Sequence, residues 1–430
     1  MEARDPRRDR LAFGVVTAVF FMWGFITVLN DVLVPHLKSV FALDYTRVML
    51  VQFCFFGAYF LMSLPSGKVV SLLGFKNSIV VGLGVTGLGA LGFLPAARLP
   101  SFPVFLAALF VLATGITLLQ VAANPYVSLL GPSQGASSRL NLSQAFNSLG
   151  TTLAPKVGGM LILSVGVLAP TALAQLSPAQ QAAYQVQQAH AVELPYIGIA
   201  VTLFLLAFIV HLFQLPAGQE TVIGEEGAHP FRDALRHRHL SFAIAAIFLY
   251  VGAEVSIGSF MINYISLPGI GDMPEARAAG FVSLYWGGAM VGRFVGAALL
   301  QRIDSRRLLA GFAAVAALLV LTTMLSVGLL AVASVVAIGL FNSIMFPTIF
   351  TLGIEGLGPL TGRASSLLVM AIVGGAILPV AQGAIADGFG VHHAFVLPFL
   401  CYLYILFYAI IGSRRPDRHD AAAPTVHPRG

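Results

Sequence analysis

Apolar residues run along the chain in long stretches, separated by short polar or charged breaks. Each stretch is about 20 residues or longer, the length an α-helix needs to cross a hydrocarbon layer. The pattern predicts spans over 11–34, 47–67, 77–97, 102–130, 140–168 and 194–215, then 240–266, 277–300, 307–329, 331–357, 364–387 and 393–412. Between the two sets lies a polar segment, 216–239, holding Glu220, Glu225, Glu226, Arg232, Asp233, Arg236 and Arg238. The expected fold is an all-α membrane protein, with twelve transmembrane helices in two six-helix halves, 11–215 and 240–412. Residues 1–10 form a polar tail, and 413–430 form an Arg-, Pro- and Ala-rich tail expected to be disordered. The stretch from Pro170 to Ala191 is too polar to span and reads as a helical extension or an interfacial segment.

Composition supports this division. The 430 residues are 57% apolar and 10% charged, with mean hydropathy +0.87. That is too little charge to cover a water-facing surface of this size. Cys54 and Cys401 fall inside apolar runs and read as small hydrophobes, not as a disulfide or a metal site. No short leader with a cleavage site stands at the N-terminus. The net charge of +6 does not imply a nucleic-acid partner, because the basic residues collect at helix ends. Of the 24 Lys and Arg, 18 fall in breaks and tails on one side, which predicts that both termini are cytoplasmic.

The halves repeat one another. Gly57-Ala58-Tyr59 and Pro65-Ser66-Gly67-Lys68 in span two match Gly287-Gly288-Ala289 and Gly292-Arg293 in span eight. Asn124-Pro125, Gly131-Pro132 and Arg139 match Phe346-Pro347, Gly358-Pro359 and Arg363. Duplicated six-helix halves joined by a charged loop imply a secondary transporter of the major facilitator type, with its site between the halves. Pro125, Pro347 and Gly374-Gly375 before Pro379 are expected flexing points, or else small-residue packing sites.

Two acids, Asp31 and Glu254, lie well inside spans. An ionised carboxylate there is costly unless paired, hydrated or protonated. Asp31 is either a structural protonated acid or a proton carrier, since burial favours the neutral carboxyl and small changes of surroundings then load or release a proton. Glu254 reads as a proton site, or as an acceptor for two sugar hydroxyls. Glu355 and Asp387 are expected at cytoplasmic helix ends beside arginines. Lys156 either snorkels outward or pairs with Asp31 or Glu254. Intramembrane amides are the second signal: Gln52, Gln120, Asn124, Asn141, Gln144, Asn147, Asn263, Asn342 and Gln382. Each can be interhelical glue. As a group they match a polyol, because an amide donates and accepts as a hydroxyl does. Gln120, Gln144 and Asn147 are favoured; the last two share a helical face. Asn30 beside Asp31, and the aromatics Tyr59, Trp286 and Phe346, complete the candidate site. Neither a metal-ligand cluster nor a nucleotide-phosphate loop nor a nucleophile–base pair is present, so the reading is not that of an enzyme or a primary pump.

Three blocks carry a resemblance: Asn30-Asp31, Ala122-Ala123-Asn124-Pro125-Tyr126-Val127, and Arg139-Leu140-Asn141-Leu142-Ser143-Gln144-Ala145-Phe146-Asn147-Ser148-Leu149-Gly150. With Pro347-Thr348-Ile349-Phe350 and Leu352-Gly353-Ile354, they resemble the bacterial fucose–galactose–glucose proton symporter family, through nearly all twelve spans. The resemblance implies proton-coupled monosaccharide uptake at the bacterial cytoplasmic membrane by a monomer with no cofactor. It implies proton handling at Asp31 and a sugar pathway past Asn147. Where the fucose branch has a glutamate in span four, this chain has Gln120, and its second acid is Glu254 where that branch has an amide. That exchange is similar to the glucose/galactose branch and does not carry fucose specificity over. Phe346 stands where a tyrosine is expected, and Lys156 has no counterpart. Glucose or galactose is the expected sugar. Sodium coupling, uncoupled transport and a non-transporting sensor remain the alternatives.

Overall fold

The computed structural model describes residues 6–40, 45–98, 101–161, 175–177, 179–181, 184, 193–212 and 231–414. Among these every regular element is helical. The first group is α1 (Pro6–Val40), α2 (Tyr45–Arg98), α3 (Phe102–Leu129), α4 (Ala136–Leu161) and α5 (Glu193–Leu212). The second begins with the short α6 (Phe231–Leu235) and continues with α7 (Arg238–Ile265), α8 (Glu275–Leu299) and α9 (Ser305–Leu325). It ends with α10 (Gly328–Asn342), α11 (Met345–Ile354), α12 (Thr361–Met370), α13 (Gly374–Phe389), α14 (Val391–Ala394) and α15 (Val396–Phe407). Most of the stretch Pro170–Ala191 and most of the central linker lie outside the described residues.

Nine described stretches are long and apolar enough to cross a membrane. One of them, 53–96, holds two passes. Gly74 (φ 77°) turns the chain inside α2. A residue with a Cβ rarely adopts that backbone. Beyond the turn α2 runs antiparallel to α3: a Cβ on Gly89 would lie 2.4 Å from the Leu112 nitrogen, and one on Gly92 would lie 3.0 Å from Ala108 Cβ. Helices α4 and α8 carry more polar residues and lie outside the nine, and with them the passes number twelve. The spans predicted at 331–357 and 364–387 are each broken. The first divides into α10 and α11 at Ser343–Ile344, and the second into α12 and α13 at Ala371–Val373.

The paired prolines act differently. Pro125 sits inside continuous α3, whereas Pro347 lies in the first turn of α11, just past a break. Both lack the N–H that would bond the carbonyl four residues earlier. In α3 that carbonyl is Val121, which accepts from Ser365 Oγ of α12 at 2.8 Å. In α11 it is Ser343, which accepts from Arg293 Nε of α8 at 3.3 Å. Each proline thus creates an acceptor that a distant helix fills. The last turn of α3 is served likewise, since Arg139 donates to the carbonyls of Val127 (3.3 Å) and Ser128 (2.7 Å).

Helices α1 and α4 run parallel and nearly touch. Thr17 Oγ1 lies 3.3 Å from Ser143 Oγ, and Asn147 Nδ2 donates to the Phe20 carbonyl at 2.9 Å. Glycine makes the approach possible: a Cβ on Gly24 would lie 2.2 Å from the Asn147 carbonyl, and one on Gly150 would lie 2.3 Å from the Phe21 carbonyl. Small residues at such contacts let membrane helices pack backbone to backbone. Gly24→Ala or Gly150→Ala is expected to cost about 1–3 kcal/mol by overpacking. The check is thermal unfolding of the detergent-solubilised protein. Gly14→Ala, with nothing within 4 Å of its Cβ position, is the control expected to leave the midpoint unchanged.

Candidate functional site

Two polar clusters stand out, one in each half. The first is built on α1 to α4. Gln120 Nε2 donates to the Tyr59 hydroxyl at 2.6 Å, and that hydroxyl also meets the Trp23 indole. One turn further on α3, Asn124 Oδ1 lies 3.5 Å from Gln144 Nε2 of α4. All of these side chains are buried. Asn147 shares the face of Gln144, but its Nδ2 is committed to the Phe20 carbonyl, the glue role open to any intramembrane amide.

The second cluster is centred on Glu254 of α7, which is 9% exposed. Its Oε1 accepts from the Tyr250 hydroxyl at 2.7 Å, one helical turn earlier. The same hydroxyl lies 3.0 Å from the Asn342 carbonyl at the end of α10. Asn342 bonds on both sides of its amide: Nδ2 donates to the Tyr285 hydroxyl at 2.7 Å, and Oδ1 accepts from the Tyr402 hydroxyl at 2.6 Å. Tyr285 in turn lies 3.3 Å from the Glu254 carbonyl. Four helices, α7, α8, α10 and α15, are thereby tied to one amide and one carboxylate.

Arg293 joins the clusters. Its Nη2 lies 3.9 Å from Glu254 Oε1, and its Nη1 donates to Ser148 Oγ on α4, in the other half. Ser148 is one turn from Gln144 and donates to its carbonyl at 3.1 Å. A carboxylate, a guanidinium, five hydroxyls and several amides thus belong to the two clusters that Arg293 links. Such a set can accept from and donate to a molecule rich in hydroxyls.

The sequence-predicted residues fall into three groups. Gln120, Asn124, Gln144, Asn147, Glu254 and Asn342 are buried within the two clusters. Trp286 is 42% exposed and packs edge-on against Tyr285 of the second cluster, whereas Phe346 is half-buried against Phe350. Asn263 is exposed near the far end of α7, away from Glu254. The side chains of Asn30, Asp31, Gln52 and Lys156 lie outside the described residues, and Gln382 is buried without a partner in the protein.

Arg293 stands beside Glu254, where the sequence also offered Lys156, whose side chain lies outside the described residues. It was missed because it reads as part of the Gly292-Arg293 repeat, although an arginine within span 277–300 carries the same signal as a lysine within 140–168. Tyr250, Tyr285, Tyr402 and Ser148 were missed too. Of these, only the four-residue spacing of Tyr250 and Glu254 was visible. Glu355 pairs with Arg306 at 2.6 Å as expected. Asp387 does not follow: it is exposed, at the opposite end of its span from Arg363.

Two bundles of membrane-crossing helices closing on a buried polar cluster define a membrane carrier. The chain belongs to the major facilitator superfamily, whose family model matches residues 11–372. It is 50% identical to the glucose/galactose transporter of Brucella abortus over 417 residues, spanning 96% of this chain and 97% of that protein. It is 35% identical to the L-fucose-proton symporter of Escherichia coli over 425 residues, spanning 96% and 95% of the two chains. A crystal structure of the major facilitator transporter FucP in the outward conformation superposes with a TM-score of 0.87 at 33% identity, covering 95% of this chain and 100% of that one.

The network around Asn342 makes a stability prediction. Asn342→Leu strands the buried Tyr402 hydroxyl and is expected to cost about 1–3 kcal/mol. Adding Tyr402→Phe removes the stranded group, so the double variant should melt higher than Asn342→Leu alone. A double-mutant cycle of unfolding midpoints measures this coupling.

Proposed function

We propose that this multi-pass sugar transporter carries a hexose, glucose or galactose, together with a proton across the bacterial cytoplasmic membrane by alternating access, with both termini in the cytoplasm. The observation that carries the reading is the buried Glu254 carboxylate, held by Tyr250 and Arg293 at the junction of the halves. Two neighbouring hydroxyls of a pyranose can donate to one carboxylate, while Gln120, Gln144 and Asn342 lie within the same polar region to answer the others. Similarity to the Brucella abortus glucose/galactose transporter supports the sugar class. Similarity to the Escherichia coli L-fucose-proton symporter supports the coupling ion.

In this reading Glu254 and its tyrosines bind the sugar, Arg293 stands beside the carboxylate and ties it to α4, and Asp31 carries the proton. Lys156 is a modulator of Asp31. The halves rock about the central site, and the state described has the end bearing the termini shut, as an outward-facing carrier requires.

Gradient-driven uptake and counterflow of labelled glucose in proteoliposomes test the proposal. A pH gradient is expected to drive accumulation and a sodium gradient to leave it unchanged. Asp31→Asn is expected to abolish accumulation while keeping counterflow. Accumulation on sodium alone, or on neither gradient, overturns proton symport.

Glu254→Gln bears on the sugar. It replaces a carboxyl oxygen acceptor with an amide donor and is expected to weaken sugar binding about 10- to 100-fold, the equivalent of about 1.5–3 kcal/mol. Isothermal titration of the purified variant reads this directly, and undiminished affinity removes Glu254 from the sugar site.

A further inference from the structure

At the end that carries the chain termini, hydroxyl groups bond across the halves. Ser137 Oγ lies 2.6 Å from Thr351 Oγ1, and Ser305 Oγ donates to Ser137 Oγ at 3.0 Å. Ser138 donates to the Ala297 carbonyl at 2.7 Å. Ser365 fills the carbonyl of Val121 that Pro125 leaves open. Each of these bonds contributes little net stability, because water replaces it when the seam parts.

One amide in the seam is incompletely bonded. Asn141 is at 0% exposure. Its Nδ2 donates to the Ser137 carbonyl at 2.9 Å and lies 3.4 Å from Thr348 Oγ1 of the other half, but its Oδ1 has no partner. One acceptor on α4 is therefore left unpaired while the seam is shut. A polar group without a partner is unfavourable in a dry site and satisfied in water.

We infer that Asn141 is the spring of this gate: shutting buries its unpaired acceptor, opening brings water to it, and the amide biases the terminus-bearing end toward opening. The hydroxyl bonds and the close approach of Gly67 to Ser366 oppose that bias. The gate is then balanced between these closing contacts and one unpaired amide oxygen. The inference rests on alternating access as proposed above, but not on the identity of the sugar or the ion.

The test reads opening directly. Ser138→Cys, in a Cys54→Ala and Cys401→Ala background, is reacted with a maleimide in lipid nanodiscs, where both faces meet the reagent. Ser138 is 7% exposed in the shut state, so labelling reports parting of the seam. Asn141→Leu keeps the side-chain size and removes the unpaired acceptor; it is expected to slow labelling about 5- to 30-fold. Thr348→Val removes the partner that Asn141 has across the seam; it is expected to speed labelling about fivefold. A purely structural role would loosen the seam in both variants and speed both.

Asn141→Leu labelling at or above the parental rate overturns the inference, as does Thr348→Val labelling no faster than the parent. Should Asn141→Leu fail to fold, judged by gel filtration, Thr348→Val decides alone. A parent that never labels also overturns it, because the seam then does not part. Opposite shifts in the two variants, with no hexose uptake by the parent, support this inference and sink the proposed function separately.

Discussion

A polar group at membrane depth must find its partner inside the protein, because the hydrocarbon offers none. That constraint organises this molecule more than any single contact. Helices satisfy most of the backbone. The exceptions are written into the chain by Pro125 and Pro347, which open the carbonyls of Val121 and Ser343. A serine reaches one from the opposite half and an arginine reaches the other from α8. The repeated proline therefore yields two products: one of the bonds that close the halves together, and the anchor that aims Arg293 at Glu254.

The two clusters differ in how fully they meet the constraint. Around Asn342 both sides of the amide are bonded, and three tyrosines and a carboxylate close upon it. A satisfied buried network of this kind holds its side chains in one arrangement. Around Asn124 and Asn141 the bonding is incomplete. The Asn342 cluster thus presents a fixed polar surface, and Asn141 carries a group that gains from a change of state. A carrier needs both properties: a site that keeps its geometry for the solute, and a seam whose closed form is only weakly preferred.

Much of this was legible in the sequence, for definable reasons. Span number and the two-half division follow from hydropathy, since hydrocarbon thickness fixes helix length. Asp31 and Glu254 stand out because charge is rare there, and the amides stand out for the same reason. The turn at Gly74 was readable as the charged break between spans 47–67 and 77–97, though not as the work of that glycine. Breaks at Ser343–Ile344 and Ala371–Val373 were approximated by Pro347 and by Gly374-Gly375. The partners were not legible. Tyr285, Tyr402 and Ser148 meet Glu254, Asn342 and Arg293 only through packing of helices distant in sequence. Nothing in one chain distinguishes these hydroxyls from others on apolar spans. Asn147 shows the converse: it was marked as a sugar residue, yet its amide nitrogen serves the backbone of α1.

Arg293 shows why the clusters cannot be treated as separate parts. Its guanidinium faces Glu254, bonds the carbonyl that Pro347 opens, and donates across the halves to Ser148. An arginine can make these contacts together because its planar fork presents five donors; a lysine ammonium presents three from a single point. When α4 moves relative to α8, the Ser148 contact changes while the Ser343 contact, within one half, does not. The guanidinium then redistributes between Glu254 and whatever replaces Ser148, so the field at the carboxylate depends on the position of the other half. Conversely, a ligand that occupies Glu254 competes with Arg293 for it and alters the contact between the halves. Linkage requires these two effects to be reciprocal. One buried arginine is thereby sufficient to make the occupancy of the site and the movement of the halves a single equilibrium.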